Sequence, residues 1–170
     1  MNCSAFAARF TVDEVRGAPD RPGKELVFLT RPRPSVGAVG QSVTMHRSRI
    51  GVILIDHPEE QYDAGLAFWA GVQGVAPTPE PDDPDYAGLG RIGSALVWGQ
   101  RTGSGTPPRV HLDIESDDVP AEVARVIGLG AKIVEEKKGW TILEDPAGMV
   151  FCVVPVQDQE AFDRDARSWW

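Results

Sequence analysis

The sequence predicts an α+β fold that is built from two βαβββ modules, and a repeat within the chain carries this prediction. Residues 49–55 form a nearly continuous apolar run, which is typical of a strand covered on both faces. A strand is also predicted at 109–115. Each strand leads into an acidic segment with a proline (56–60 and 117–120), which favours the start of a helix. The spacing of roughly sixty residues indicates two copies of one module that share a core.

The remaining elements follow in the same order in both halves. In module one, a helix with an apolar stripe precedes an acidic, proline-rich loop at 77–88. In module two, a helix that ends at Gly130 precedes three strands, and a turn at 145–148 joins the last two. The later strands are predicted at 86–92, 94–101, 131–135, 139–143 and 149–154. The predicted segments are module one at 48–101, module two at 108–155 and a C-terminal helix at 158–170.

Residues 1–47 differ in composition from the rest of the chain. Prolines stand beside basic residues at 21–24 and at 31–34, and such segments favour extended, unpacked chain. We therefore expect a disordered extension. Two alternatives stay open: a basic arm that docks a partner, and a translation start that is drawn too early, since Met45 directly precedes the first convincing strand.

The net charge of −8 is distributed unevenly. Residues 1–47 carry seven Lys or Arg against four Asp or Glu, whereas residues 48–170 carry ten against twenty-one. An acidic body repels phosphate backbones, so we expect no nucleic-acid partner. No apolar run has the length that a bilayer requires, so we expect no membrane partner. Because Cys3 and Cys152 do not indicate a disulfide framework and no secretory signal is recognisable, the predicted location is the cytoplasm.

One face of the predicted strand 109–115 is polar. Its apolar residues alternate with His111, Asp113 and Glu115, so these three side chains share the other face. Three inward-facing polar side chains are costly unless the space beside them is wet or occupied, so we expect a pocket there. The alternative is that this face is exposed to solvent.

Several short segments, in this order and spacing, resemble the vicinal oxygen chelate superfamily. The superfamily includes glyoxalase I, the bleomycin-resistance proteins and the extradiol dioxygenases, and the chain is most similar to its glyoxalase-like branch. The resemblance covers about residues 48–170. The segments that carry it are 68–74, 109–113, 129–131 (Leu-Gly-Ala), 145–148 (Asp-Pro-Ala-Gly), 151–154 and 162–169.

This resemblance implies one curved, mostly antiparallel, eight-stranded sheet with helices on its convex side. Its concave side would hold the substrate and, in metal-dependent members, a metal. In those members each half offers one ligand from its first strand and one from its last strand, usually His and Glu.

The ligand positions that the resemblance implies are incompletely filled. His111 falls at the first-strand position of module two, and Cys152 falls near the last-strand position, where a Glu is usual. A buried Cys also serves as a small hydrophobic residue. In module one the equivalent positions are Ile50 or Gly51, which cannot ligate, and Gln100, a weak neutral ligand. We therefore predict no tightly bound catalytic metal, with His111, Gln100 and Cys152 as the ligands of any divalent ion.

The other histidines are assigned to no site. His57 precedes Pro58 at the predicted helix start, where capping or exposure is expected. His46 is assigned to the N-terminal extension.

His111 and Asp113 are the candidate catalytic residues, as a general base with a nearby carboxylate. Residues two apart on a strand are separated by about 6–7 Å, so we expect no direct hydrogen bond between them. Trp98 and Trp140 are candidate aromatic walls, with plain core packing as the alternative. The full predicted pocket consists of Trp98, Gln100, His111, Asp113, Glu115, Trp140 and Cys152.

The function that we predict is binding of a small molecule by a glyoxalase-like protein without a tightly bound catalytic metal. One alternative is a metal-dependent lyase or isomerase of the glyoxalase type. Another is a resistance-type protein that sequesters a drug, because sequestration requires pocket shape and aromatic walls but no reactive group. A monomer closes the predicted sheet by itself, and a homodimer stays open as the alternative.

Overall fold

The computed structural model describes residues 45–170, which form an α+β fold with nine strands in one sheet. The first half contains β1 (His46–Pro58), α1 (Tyr62–Gln73), β2 (Thr78–Pro79), β3 (Tyr86–Ile92) and β4 (Ala95–Thr102). The second half contains β5 (Arg109–Ser116), α2 (Val119–Gly128), β6 (Lys132–Lys137), β7 (Trp140–Glu144) and β8 (Val150–Pro155). The chain ends with α3 (Gln159–Asp165) and β9 (Arg167–Trp169). The predicted fold class is confirmed.

The sheet places the two βαβββ halves side by side. Its strand order is β2-β3-β4-β1-β5-β8-β7-β6, so the first strand of each half lies at the centre. These two central strands are antiparallel, and Leu54 lies directly opposite His111. Each central strand also pairs in parallel with the last strand of its own half, β1 with β4 and β5 with β8. Both halves therefore belong to one sheet and meet where β1 pairs with β5.

The helices cover one face of this sheet. Ala70 of α1 packs with Leu89 and Val97 of the first half, and Val126 of α2 packs with buried residues of the second half, including Leu143. The start of α2 follows the prediction, because the Asp118 side chain accepts a hydrogen bond from the Ala121 amide at 3.0 Å. No helix within residues 45–170 is long and apolar enough to cross a bilayer.

The first predicted helix start is wrong by several residues. Strand β1 continues through Pro58, and α1 begins only at Tyr62 after a short 3₁₀ turn. The strand continues because residues 52–58 pair with residues 96–102 of β4. Asp56 and His57 are therefore buried strand residues, at 0% and 8% exposure, rather than helix caps.

The two ends of the described chain meet on the sheet. The helix expected at 158–170 ends at Asp165, and β9 pairs with residues 46–48 of β1. The Trp169 indole donates a hydrogen bond to Ser48 Oγ at 2.7 Å, which holds the final segment extended. His46, which was assigned to the extension, is buried in β1 and contacts Glu122 of α2 at 2.8 Å. Most of the extension for which we expected disorder, residues 1–44, lies outside the described residues. Residues 45–47 are described, and residues 46 and 47 belong to β1.

Candidate functional site

A cavity of about 630 Å³ lies on the sheet face that is opposite to the helices. Both central strands contribute to it, because the residues that alternate with the helix-facing ones point to this side. Its walls are largely apolar and aromatic, and they include Val52, Leu54, Trp98, Trp140 and Val154. A cavity of this size with a few convergent polar groups is typical of a small-molecule site.

Three potentially reactive side chains meet at the wall of this cavity. His111 and Asp113 come from the same face of β5, and Cys152 lies opposite Asp113 on β8. Their exposures are 2%, 8% and 2%, so all three are buried. One ligating atom from each lies within 4.8 Å of the others. Strand alternation placed His111 and Asp113 together, and the parallel pairing of β5 with β8 added Cys152.

Asp56 is a site residue that was not predicted from the sequence. Its carboxylate lies 2.9 Å from Nδ1 of His111, and the same oxygen accepts a hydrogen bond from Nε of Arg109 at 2.8 Å. An oxygen that already accepts from a guanidinium is an acceptor toward the imidazole, so Nδ1 carries the proton and Nε2 is the basic nitrogen. The available signal was the continued alternation of β1, in which Asp56 follows the cavity residues Val52 and Leu54 at intervals of two.

The carboxyl group of Asp113 has a raised pKa. Burial raises the pKa of Asp113 to about 6, and the nearby His111 and Cys152 offset only part of this effect. Its Oδ1 lies 3.7 Å from Nε2 of His111, which is longer than a hydrogen bond, as the strand spacing predicted. Within the described residues this Oδ1 has no hydrogen-bond partner. An acceptor of this kind at a cavity wall is available to a ligand.

The structure divides the other predicted pocket residues into two groups. Trp98 and Trp140 line the cavity. Gln100 and Glu115 are fully buried and lie outside its lining. The Gln100 amide donates a hydrogen bond to the hydroxyl of Tyr86 at 2.7 Å, whereas Glu115 accepts one from Nε of Arg49 at 2.8 Å. Each side chain therefore has one partner on a neighbouring strand, while Oε1 of both Gln100 and Glu115 has no hydrogen-bond partner among the described residues.

The convergent group of His111, Asp113 and Cys152 is chemically suited to a divalent metal. It offers one nitrogen, one oxygen and one sulfur, which together match the preferences of zinc and similar ions. The contact between Nδ1 of His111 and Asp56 matches the outer carboxylate that usually orients a ligating histidine. Gln100, which the sequence offered as a ligand, does not belong to this group, and Asp113 takes its place.

The rim of the cavity is acidic. Glu80, Asp82 and Asp83 come from the loop between β2 and β3, and Lys138 comes from the turn between β6 and β7. An acidic loop was predicted from the sequence, but no local pattern indicates that its side chains line the cavity. The rim adds three carboxylates and one ammonium group to the site.

A family model described as "Glyoxalase-like domain" matches residues 52–154. This match spans more than half of the chain, from the middle of β1 to the end of β8, and includes the cavity face of both central strands. The chain belongs to the glyoxalase-like domain family. The resemblance to the vicinal oxygen chelate superfamily is thereby confirmed.

Solved structures are similar to the chain at low identity. A hypothetical protein from Bacillus halodurans C-125 aligns with a TM-score of 0.50 and 15% identity, over 66% of this chain and 96% of that one. An NAD-dependent benzaldehyde dehydrogenase from Legionella pneumophila aligns with a TM-score of 0.47 and 9% identity, over 62% and 98%. A glyoxalase I mutant from Zea mays aligns with a TM-score of 0.23 and 17% identity, over 66% and 48%. No curated protein matches. At these identities the similarity concerns the fold alone.

Proposed function

We propose that this protein binds a small molecule in the cavity and acts on it, without a tightly bound catalytic metal, through proton transfer at His111. The observation that carries the proposal is the buried pair of Asp56 and His111 at the wall of a largely apolar cavity. Val52 and Leu54, which module one contributes to the central wall, have no ligating atoms. This favours acid–base chemistry at His111, which Asp56 of module one orients, over a metal that is shared between the modules.

The proposed proton path begins at Nε2 of His111. With Nδ1 held by Asp56, Nε2 is the nitrogen that accepts a proton from a bound ligand. Asp113 is a second proton carrier, because its pKa of about 6 allows both protonation states near neutral pH. Two neighbouring groups that exchange protons suit a lyase or an isomerase, in which one group removes a proton from the ligand and the other donates one.

A binding screen tests the first part of this proposal. We would add a fixed library of soluble metabolites to the full-length protein and detect binding by ligand-observed NMR. Compounds that bind in the cavity should lose about tenfold or more in affinity in Trp140→Ala, because this side chain forms part of the wall. Trp170→Ala is the matched control, since Trp170 is 86% exposed and lies outside the cavity lining.

The screen and a product assay together give decisive outcomes. If no compound shows binding that depends on Trp140, the proposed function is wrong. If compounds bind and are converted, His111→Gln should lower the rate by about 10²-fold or more with little change in affinity. If compounds bind tightly and are never converted, the drug-sequestering alternative replaces the catalytic one.

A metal-dependent lyase or isomerase is the second candidate. The observation that favours it is the convergence of ligating atoms from His111, Asp113 and Cys152 within 4.8 Å. These three residues would hold the ion, which would supply Lewis acidity toward a bound oxygen. In this case Asp56 would orient His111 for ligation instead of for proton transfer.

Metal analysis separates the two candidates. The protein would be purified without chelator, and bound Zn, Ni, Fe and Mn would be quantified in the parent, in His111→Ala and in Cys152→Ser. The control is His57→Ala, because His57 is also buried but does not belong to the convergent group. Near-stoichiometric metal that is lost in the first two variants and kept in the control would replace our preferred candidate with the second one.

A further inference from the structure

We propose that the ligand of this cavity is a protonated amine with an aromatic or apolar body. This inference rests on the proposed function, namely that the cavity binds a small molecule, and it adds the chemical class of that molecule. Three independent features of the cavity carry it: the charges at its rim, an unsatisfied carboxylate oxygen in its wall, and its aromatic surfaces.

The charges around the cavity favour a cation. Glu80, Asp82 and Asp83 lie at its rim, and Asp113 lies in its wall, whereas Lys138 is the single Lys or Arg among the described lining residues. A cleft that is lined by negative charges and has low-dielectric walls concentrates a negative electrostatic potential in its interior. An anionic ligand would meet this field on entry, whereas a cation is attracted by it.

The wall adds a specific acceptor for the N–H group of a ligand. Asp113 is 8% exposed, lines the cavity, and has an Oδ1 without a hydrogen-bond partner in the described part of the chain. A buried acceptor that stays unsatisfied is costly, and a hydrogen bond from a charged donor removes that cost. A protonated amine supplies both the charge that the rim attracts and the donor that Oδ1 lacks. A neutral or quaternary compound supplies at most one of the two.

The aromatic surfaces suit the remainder of the ligand. Trp98, Trp140 and Tyr86 line the cavity together with aliphatic side chains. Indole and phenol rings bind apolar groups through burial, and their faces also attract cations. A ligand with an amine at one end and a ring or an alkyl group at the other would therefore match both the walls and the acceptor.

Three probes with the same ring test the charge requirement. We would measure binding of 2-phenylethylamine, 2-phenylethanol and phenylacetate to the full-length protein by calorimetry at low ionic strength. The expected order is amine, alcohol, carboxylate, with about tenfold or more between the amine and the alcohol. Equal or tighter binding of the alcohol or of the carboxylate would overturn the inference.

A charge-neutralising variant tests whether the rim is responsible. Replacement of the three rim acids should lower the affinity for the amine by about tenfold and leave the alcohol unchanged. A control with the same change in net charge replaces exposed acids outside the cavity lining and should change neither affinity. An equal loss in both variants would overturn the role of the rim. The rim substitutions are Glu80→Gln, Asp82→Asn and Asp83→Asn, and the control substitutions are Glu59→Gln, Glu136→Gln and Glu160→Gln.

The metabolite screen distinguishes failure of this inference from failure of the proposed function. If the Trp140-dependent compounds are mostly protonated amines, both stand. If these compounds are mostly neutral or anionic, the ligand class is wrong and the proposed cavity function stands. If no compound shows Trp140-dependent binding, both are wrong.

Discussion

Asp113 links the stability of the fold to pH. Its pKa in the folded state is about 6, above the ordinary value of 3.8, so between these pH values the folded state binds more protons than the unfolded state. The contribution of Asp113 to stability is therefore present below pH 3.8 and is lost as the pH rises to about 6. We predict that Asp113→Asn removes this loss and stabilises the protein at pH 7 by about 2–3 kcal/mol.

Urea denaturation of the full-length protein between pH 3.5 and pH 7.5 measures this effect. The difference in the free energy of unfolding between Asp113→Asn and the parent should increase across the window from pH 3.8 to about 6 and then stay constant. Glu136→Gln, at an exposed position, should show no such change. A constant difference at every pH would contradict the raised pKa of Asp113.

Asp56 lies in a strand, although local sequence rules predict a helix start at this position. An Asp-His-Pro segment is a reasonable helix start by local rules, and those rules offer Asp56 or His57 as the cap. The pairing of β1 with β4 overrides them, since it keeps the backbone extended through Pro58. Asp56 therefore points to the cavity face and meets His111, from which it is separated by 55 positions along the chain.

Strand β1 contains an irregularity that a glycine makes possible. Its register with β5 shifts between Ile50 and Val52, and the Glu115 side chain lies against Gly51. A Cβ atom at Gly51 would overlap the carboxylate of Glu115, which is held by the buried Arg49. We predict that Gly51→Ala destabilises the protein by about 2–4 kcal/mol, because the ion pair must move.

A glycine in α1, Gly71, provides the control for the substitution at Gly51. No atom lies within 4 Å of a Cβ built at Gly71, and this position is exposed. Gly71→Ala should therefore stabilise the protein by about 0.5–1 kcal/mol through helix propensity. Chemical denaturation measures both variants. A neutral Gly51→Ala would mean that the Arg49–Glu115 pair is not fixed in this position.

The whole molecule should unfold as one unit, because the two modules share a sheet. Strands β1 and β5 pair at its centre, so neither module keeps its central ladder when the other unfolds. Leu143 of module two is 0% exposed, and Leu143→Ala should cost about 2–5 kcal/mol. We predict that this loss appears equally in module one, in the slowest-exchanging amides of β4.

Native-state hydrogen exchange on β4 and β8 measures this coupling. Leu129→Ala is the matched control, because Leu129 is 64% exposed, and it should change the free energy of unfolding by less than about 0.5 kcal/mol. If Leu143→Ala accelerated exchange in β8 and left β4 unchanged, the modules would be independent folding units. That result would contradict the single cooperative sheet.

The elements that depend on local periodicity could be predicted from the sequence alone. The apolar run at 49–55 and the alternation at 109–115 predicted the two central strands, and the repeat predicted two similar modules. The same alternation predicted that His111 and Asp113 share a face, and the structure places both at the cavity. These features could be predicted because a strand places every second side chain on the same side, whichever strands it pairs with.

Which residues meet across strands depends on the three-dimensional arrangement of the sheet. The contact of Asp56 with His111, the approach of Cys152 to Asp113, and the withdrawal of Glu115 to Arg49 depend on pairing registers between distant segments. A shift of one residue in register reverses the face of every side chain, and no local pattern specifies that register. The polar strand face could therefore be predicted from the sequence, whereas the partners that give it chemistry could not.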